Sequence, residues 1–185
     1  MEPRDLPFCI VDIETTGLDS RWHEIIDIGV VLCRQDNFEI IQEWGTKVLP
    51  LRIGTMQPRA QELNGYTVER WVDALSLKEA MPAFATLMKN AVFTSQNPTF
   101  DWPFVRDAVD KYGHGLAWEE DWFYHRLDIW SVAMALLRNT GLPRLNQDWL
   151  AVYLGVDPEP EPHDALEGAR LSYRILRQLM TGGYR

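Results

Sequence analysis

The order of the hydrophobic segments along the chain is the feature that most constrains its fold. Three apolar stretches of strand length come first, at Phe8–Asp12, Ile25–Leu32 and Phe38–Val48. Polar turns separate them, so they favour a three-stranded antiparallel meander. The later segments are mostly longer and amphipathic, as is typical of helices. Strands followed by helices predict a layered α/β domain in which the helices cover a sheet.

The remaining segments complete this single layered unit. Ala91–Ser95 is a brief apolar run that would lie parallel to the first strand. The expected helices are Pro58–Leu63 ending at Asn64-Gly65, Leu77–Lys89, Trp102–Tyr112, Ile129–Leu137 capped by Asp128, Asn146–Leu154, and one from near His163 to Met180. The segment Asp157–Pro162 (DPEPEP) is interpreted as a stiff acidic connector. No internal linker is visible, so residues 1–185 are expected to form one domain.

The charge and the apolar runs limit the class of protein. A net charge of −9 argues against a general nucleic-acid binder, because such proteins are usually basic. It is compatible with an enzyme whose carboxylates attract metal ions that in turn attract phosphate. No apolar run reaches the roughly 18 residues of a membrane span, and the N-terminus does not resemble a signal peptide. We therefore expect a cytoplasmic protein without membrane association, in which Cys9 and Cys33 are buried, reduced thiols on neighbouring strands.

Two acidic residues, Asp12 and Glu14, directly follow the first apolar run. Side chains two residues apart in a strand project from the same face, so both carboxylates would project together. They are costly to ionise unless a cation lies between them, and such oxygen ligands suit Mg²⁺ or Mn²⁺. A bare D-x-E also occurs where a strand ends at a polar surface. Here Thr15-Thr16-Gly17-Leu18 follows as a tight turn that would bring backbone N–H groups to a phosphate or sugar.

Two further motifs carry groups of matching chemistry. In Ser95–Asp101 (SQNPTFD), a turn follows the short strand and Asp101 stands at the start of a helix, where an aspartate can also be a helix cap. In His163–Glu167 (HDALE), a histidine opens the last helix. Histidine titrates near neutrality and can take a proton from water, although a histidine at a helix start can also be an incidental polar residue.

Taken together, these segments resemble the DEDDh exonuclease family, which includes the epsilon proofreading subunits of bacterial replicative polymerases. The matching segments are DIETTGL at 12–18, EIIDIG at 24–29, PRAQELNGYT at 58–67, QNPTFD at 96–101 and HDALE at 163–167. They come in the family's order and spacing. The resemblance implies a ribonuclease H-like fold, with a central five-stranded mixed sheet flanked by helices. It also implies a 3′→5′ exonuclease that hydrolyses terminal phosphodiester bonds of single-stranded DNA or RNA.

The resemblance assigns a role to each site residue. Asp12 and Glu14 would bind metal, with Asp12 bridging two Mg²⁺ or Mn²⁺ ions, and Asp101 would hold the second ion largely through water. His163 would be the general base that activates the attacking water. The terminal nucleotide would be held by the turn at Thr15 and Thr16 and by a pocket that includes Leu63, Asn64, Asn97 and Phe100.

One position departs from the family pattern. The family's last aspartate comes five residues after the histidine, where this chain has Gly168 without a side-chain oxygen. Glu167 is the expected replacement ligand, while Asp164, one helical turn back, and water are alternatives. Metal binding is expected to be weaker than in a site with four carboxylates. The alternative function is therefore a catalytically weakened module that binds nucleic acid or associates with a polymerase or another protein.

Overall fold

The computed structural model describes residues 2–112 and 122–183. Its strands are β1 (Phe8–Thr15), β2 (Ile25–Cys33), β3 (Ile40–Lys47), β4 (Val92–Ser95) and β5 (Arg126–Asp128). They form one five-stranded sheet in the order β3-β2-β1-β4-β5. The first three strands are antiparallel, whereas β4 is parallel to β1 and β5 is parallel to β4. The predicted α/β class, the meander and the five-stranded mixed sheet are thereby confirmed.

Helices cover both faces of the sheet. In the described residues they are α1 (Pro58–Asn64), α2 (Leu77–Met88), α3 (Pro98–Tyr112), α4 (Ile129–Leu137), α5 (Gln147–Leu154) and α6 (Ala165–Thr181). One hydrophobic cluster joins the sheet to α2 and α3, and a second joins its other face to α4, α5 and α6. None of these helices is long and apolar enough to cross a membrane. Both cysteines are buried and free, as expected.

The central strand β1 shows how the site is connected to this core. Cys9 packs in the cluster with α2 and α3, whereas Phe8 and Ile10 pack in the cluster with α6. Because side chains alternate along a strand, Asp12 and Glu14 lie on the same face as Ile10. The strand continues to Thr15, beyond the predicted end at Asp12, because backbone pairing with β2 does not stop where the apolar residues stop.

The starts of helices α3 and α6 determine where Asp101 and His163 lie. Helix α3 starts at Pro98 rather than Trp102, so that Asp101 lies in its first turn and is buried. Helix α6 starts at Ala165, near His163 as predicted, but His163 does not open it, because the Asp164 side chain accepts a hydrogen bond from the backbone N–H of Leu166 and caps the helix. His163 therefore precedes the helix.

The start of α6 lies directly against the backbone of β2. The contact is made at Gly29, which is paired with Asp12 across the sheet. A Cβ at Gly29 would overlap the carbonyl group of Ala165, so only a glycine permits this approach. The backbone N–H of Ala165 also donates to Oδ2 of Asp27 at 3.1 Å. This contact brings His163 to the acidic end of β1.

We expect Gly29→Ala to lower the free energy of unfolding by about 1–3 kcal/mol, the usual range for a side chain forced into a packed interior. The added methyl group must displace α6 from the sheet. Urea unfolding measures the change. Gly54→Ala is the matched control, because a Cβ there would meet no atom within 4 Å. Equal unfolding free energies for the two variants would contradict the close approach of α6.

Candidate active site

A pocket at the end of β1 brings the predicted acidic residues and the histidine together. Its lining includes Asp12 and Glu14 of β1, Asp101 of α3, and His163 from the segment before α6. Glu159, in the connector before α6, lines the same pocket and was not predicted. Four carboxyl groups therefore converge on one space from three separate segments of the chain.

Burial and mutual repulsion oppose the ionisation of these carboxyl groups. Burial raises the pKa of Asp12 well above its usual range, and the charges of Asp101 and Glu14 raise it further. Burial, as the larger cause, and the charge of Glu159, as the next, raise the pKa of Glu14 to about 8. Burial raises the pKa of Asp101 to about 7. Such a cluster becomes favourable in its charged form when a cation lies among the oxygens.

The donor atoms fit a divalent cation. Glu14, Glu159 and His163 each place a ligand atom within 4.8 Å of the others. Nδ1 of His163 lies 3.8 Å from Oε1 of Glu14 and 3.7 Å from Oε2 of Glu159. Asp12 and Asp101 add further carboxylates to the lining. An oxygen-rich set of this kind suits hard cations such as Mg²⁺ and Mn²⁺.

Gly168 packs against Asp12, so a larger side chain at this position would have to displace the Asp12 carboxylate. A Cβ at this position would overlap Oδ2 of Asp12 and would lie 2.8 Å from its Cγ. The neighbouring Glu167 points elsewhere: its Oε1 accepts from Nη1 of Arg170 at 2.5 Å, and Arg170 also pairs with Glu43 of β3. The structure does not bring Glu167 into the pocket. Its role as a metal ligand stays a prediction that the geometry does not favour.

Asp164, the other alternative, belongs to a neighbouring ion network. Its Oδ2 accepts from Nζ of Lys47 at 2.7 Å, and its Oδ1 accepts from the backbone N–H of Leu166. Lys47 also bonds Asp27 of β2. Both oxygens of Asp164 are therefore used in holding the start of α6 to the sheet.

The predicted substrate residues fall into two groups. The residues that line the pocket are Thr15, Leu63, Asn97 and Phe100. Thr16 and Asn64 are instead fully buried. The Asn64 side chain donates to the carbonyl of Thr15 and accepts from the N–H of Tyr66, and the backbone N–H of Thr16 donates to the carbonyl of Glu24. Their contact with the terminal nucleotide stays a prediction that the geometry does not favour, because both residues are held inside the loop by these hydrogen bonds.

Sequence patterns do not indicate a site role for Glu159, because the DPEPEP segment is typical of a connector. Its spacing of four residues from His163 was the one available signal. The other two acidic residues of this segment, Asp157 and Glu161, are exposed. Alternating acidic and proline residues do not indicate which carboxylate turns inward.

Comparison with known proteins decides the family. The model of the RNase T family, described as Exonuclease, matches residues 9–176. The chain belongs to this exonuclease family. Two relatives are the PolC-type DNA polymerases III of Thermotoga petrophila and Thermotoga maritima, which are 32% and 30% identical to it over 168 and 171 residues. The alignments cover 91% and 92% of this chain but 11% and 12% of the relatives, so the chain spans about a tenth of their length.

Solved structures agree on the fold of this exonuclease-family chain. Escherichia coli exonuclease I in complex with a dT13 oligonucleotide has a TM-score of 0.76 at 18% identity, over 97% of this chain and 43% of that one. The exonuclease I from Methylocaldum szegediense has a TM-score of 0.76 at 20% identity, over 97% and 42%. The predicted ribonuclease H-like fold is confirmed.

The raised carboxyl pKa values predict how the stability of the metal-free protein depends on pH. Glu14 binds its proton more tightly in the folded state than in the unfolded state, where its pKa is near 4.5. The free energy of unfolding therefore falls as the pH rises from that value to the folded-state pKa of about 8. In EDTA we expect Tm to fall between about pH 5.5 and about pH 8, and Mn²⁺ to restore it at the higher pH.

Calorimetry of Glu14→Gln isolates this contribution, since the variant cannot titrate at position 14. Its Tm should fall less over the same pH range than that of the wild type. Glu161→Gln, which changes an exposed carboxylate, serves as the control and should follow the wild type. If Glu14→Gln kept the full wild-type slope, the raised pKa of Glu14 would be refuted.

Proposed function

We propose that the protein is a metal-dependent 3′→5′ exonuclease that removes nucleotides from single-stranded ends with two Mg²⁺ or Mn²⁺ ions. The observation that carries the proposal is the convergence of Asp12, Glu14 and Asp101 with His163 in one pocket. Membership in the exonuclease family supports the reaction class. The raised carboxyl pKa values support a site that needs cations in order to carry its full negative charge.

Each residue has a separate task in this reaction. Bound divalent ions supply Lewis-acid stabilisation of the charge that develops on the attacking and leaving oxygens. Asp12 and Glu14 of β1 would hold one ion, and Asp12 with Asp101 of α3 would hold the other. His163 takes the proton of the attacking water. Its side chain is 36% exposed, so it can pass that proton to solvent.

The lining of the pocket supports a single strand as the substrate. Leu63 and Phe100 offer apolar surface for a terminal base, next to the amide of Asn97. An adjoining pocket shares Asn97 and His163 and extends to the indole of Trp130, which is 42% exposed. Bases stack well on such rings. The exonuclease I relatives were solved with the single-stranded oligonucleotides dT13 and dA16, which supports the same substrate class here.

A second candidate is a polymerase-associated module with weakened catalysis. Gly168 removes the family's last carboxylate, and the relatives of highest identity reported above are PolC-type DNA polymerases III. Digestion of single-stranded DNA and RNA of the same sequence separates the candidates. Strands labelled at the 5′ end should shorten stepwise from the 3′ end with Mg²⁺ or Mn²⁺ and should stay intact in EDTA. Binding without shortening of either strand would favour the module.

We expect Asp12→Ala to abolish nuclease activity while the fold stays intact. Its carboxylate serves both ions, and its removal relieves repulsion with Asp101 and Glu14 in the metal-free protein. Activity is measured on the strand that the wild type degrades, and the fold by Tm in EDTA. Asp36→Ala, at an exposed aspartate, is the control. More than about a tenth of wild-type activity in Asp12→Ala would count against the two-ion assignment.

We expect His163→Ala to lower kcat by about 10²–10⁴-fold, the range for a lost general base. Mn²⁺ affinity, measured by calorimetry, should change little, because the carboxylates hold the ions. His163 lies close enough to Glu14 and Glu159 to be a ligand itself. If Mn²⁺ affinity collapsed together with kcat, His163 would be a metal ligand and not the general base.

A further inference from the structure

The pocket still contains four carboxylates although position 168 carries none. They belong to Asp12, Glu14, Asp101 and Glu159. The family pattern takes its last carboxylate from the final helix, where Gly168 stands in this chain. The space beside Gly168 is filled by Asp12. Any replacement must therefore come from another direction, and Glu159 approaches from the connector.

The side chain of Glu159 is held in a defined orientation. It is only 8% exposed, and its Oε1 accepts from the backbone N–H of Asp164 at 2.9 Å. Its Oε2 faces Nδ1 of His163 at 3.7 Å, beyond hydrogen-bond distance. In the described part of the chain, no lysine or arginine pairs with Glu159. A buried carboxylate that faces other carboxylates without a fixed cation is costly unless an ion from solution joins it.

The two rival carboxylates are already neutralised by the protein. Glu167 is paired with Arg170. Asp164 is paired with Lys47. Of Glu159, Asp164 and Glu167, Glu159 is the one that both lines the pocket and has no such partner among the described residues.

The distances allow Glu14 and Glu159 to share one ion. Their ligand atoms lie within 4.8 Å of each other. Oxygens on opposite sides of Mg²⁺ are about 4.2 Å apart, so a small side-chain rotation closes the difference. We propose that Glu159 is the metal ligand that replaces the family's missing aspartate. The inference rests on the proposed function, since it concerns the ions of that same site.

Glu159→Gln tests the proposal without removing the local structure, because the amide oxygen can still accept from the N–H of Asp164. Calorimetric titration with Mn²⁺ should show binding weakened by about tenfold or more. The increase of Tm that Mn²⁺ produces in the wild type should shrink in parallel. Glu161→Gln makes the same charge change at an exposed residue of the same connector and should bind Mn²⁺ like the wild type.

Two results would overturn the proposal. One is wild-type Mn²⁺ affinity in Glu159→Gln, even if its rate falls, because Glu159 would then only orient His163. The other is an equal loss of affinity in Glu161→Gln, because the loss would then follow from the change of charge in the connector and not from Glu159 itself. A wild type that binds Mn²⁺ through Glu159 but degrades neither DNA nor RNA would refute the proposed function and leave the ligand assignment standing.

Discussion

The backbone contact between Gly29 of β2 and the start of α6 sets the geometry on which the site depends. Gly29 is paired with Asp12 across the sheet, so the helix meets β2 beside the acidic end of β1. A second close contact, between Gly168 and the side chain of Asp12, lies in the first turn of the same helix. Two glycines thus bring a helix and a strand close enough for His163 and the carboxylates to share one pocket.

Electrostatics explain why an acidic chain can belong to a family that degrades nucleic acid. With a net charge of −9, the chain has no general attraction for phosphate. Its buried carboxyl groups resist ionisation because each lies in a poorly solvated space near the others. Cations that neutralise them would reverse the local potential and so create the attraction for phosphate that the side chains lack.

The sequence predicted those parts of the fold and site that depend on regular periodicity. The alternation along β1 places Asp12 and Glu14 on one face, and the order of strands and helices predicts the mixed sheet. Residues in loops do not follow a regular period of this kind. The inward turn of Glu159 depends on a hydrogen bond to Asp164, and the burial of Asn64 depends on its contacts to the neighbouring loop. The first is a local contact in an irregular segment and the second is a tertiary contact, and residue type and spacing reveal neither.

The position of Lys47 has a consequence for where ions can bind. Its amino group joins Asp27 of β2 to Asp164 before α6, and it also lies 4.9 Å from the ring centre of Trp71. Lys47 therefore neutralises a second acidic site, formed by Asp27 and Asp164, beside the pocket. A divalent ion would have to displace it to bind there. Metal that binds as proposed would therefore go to the carboxylates that have no cation as a partner, because Lys47 occupies the competing acidic site.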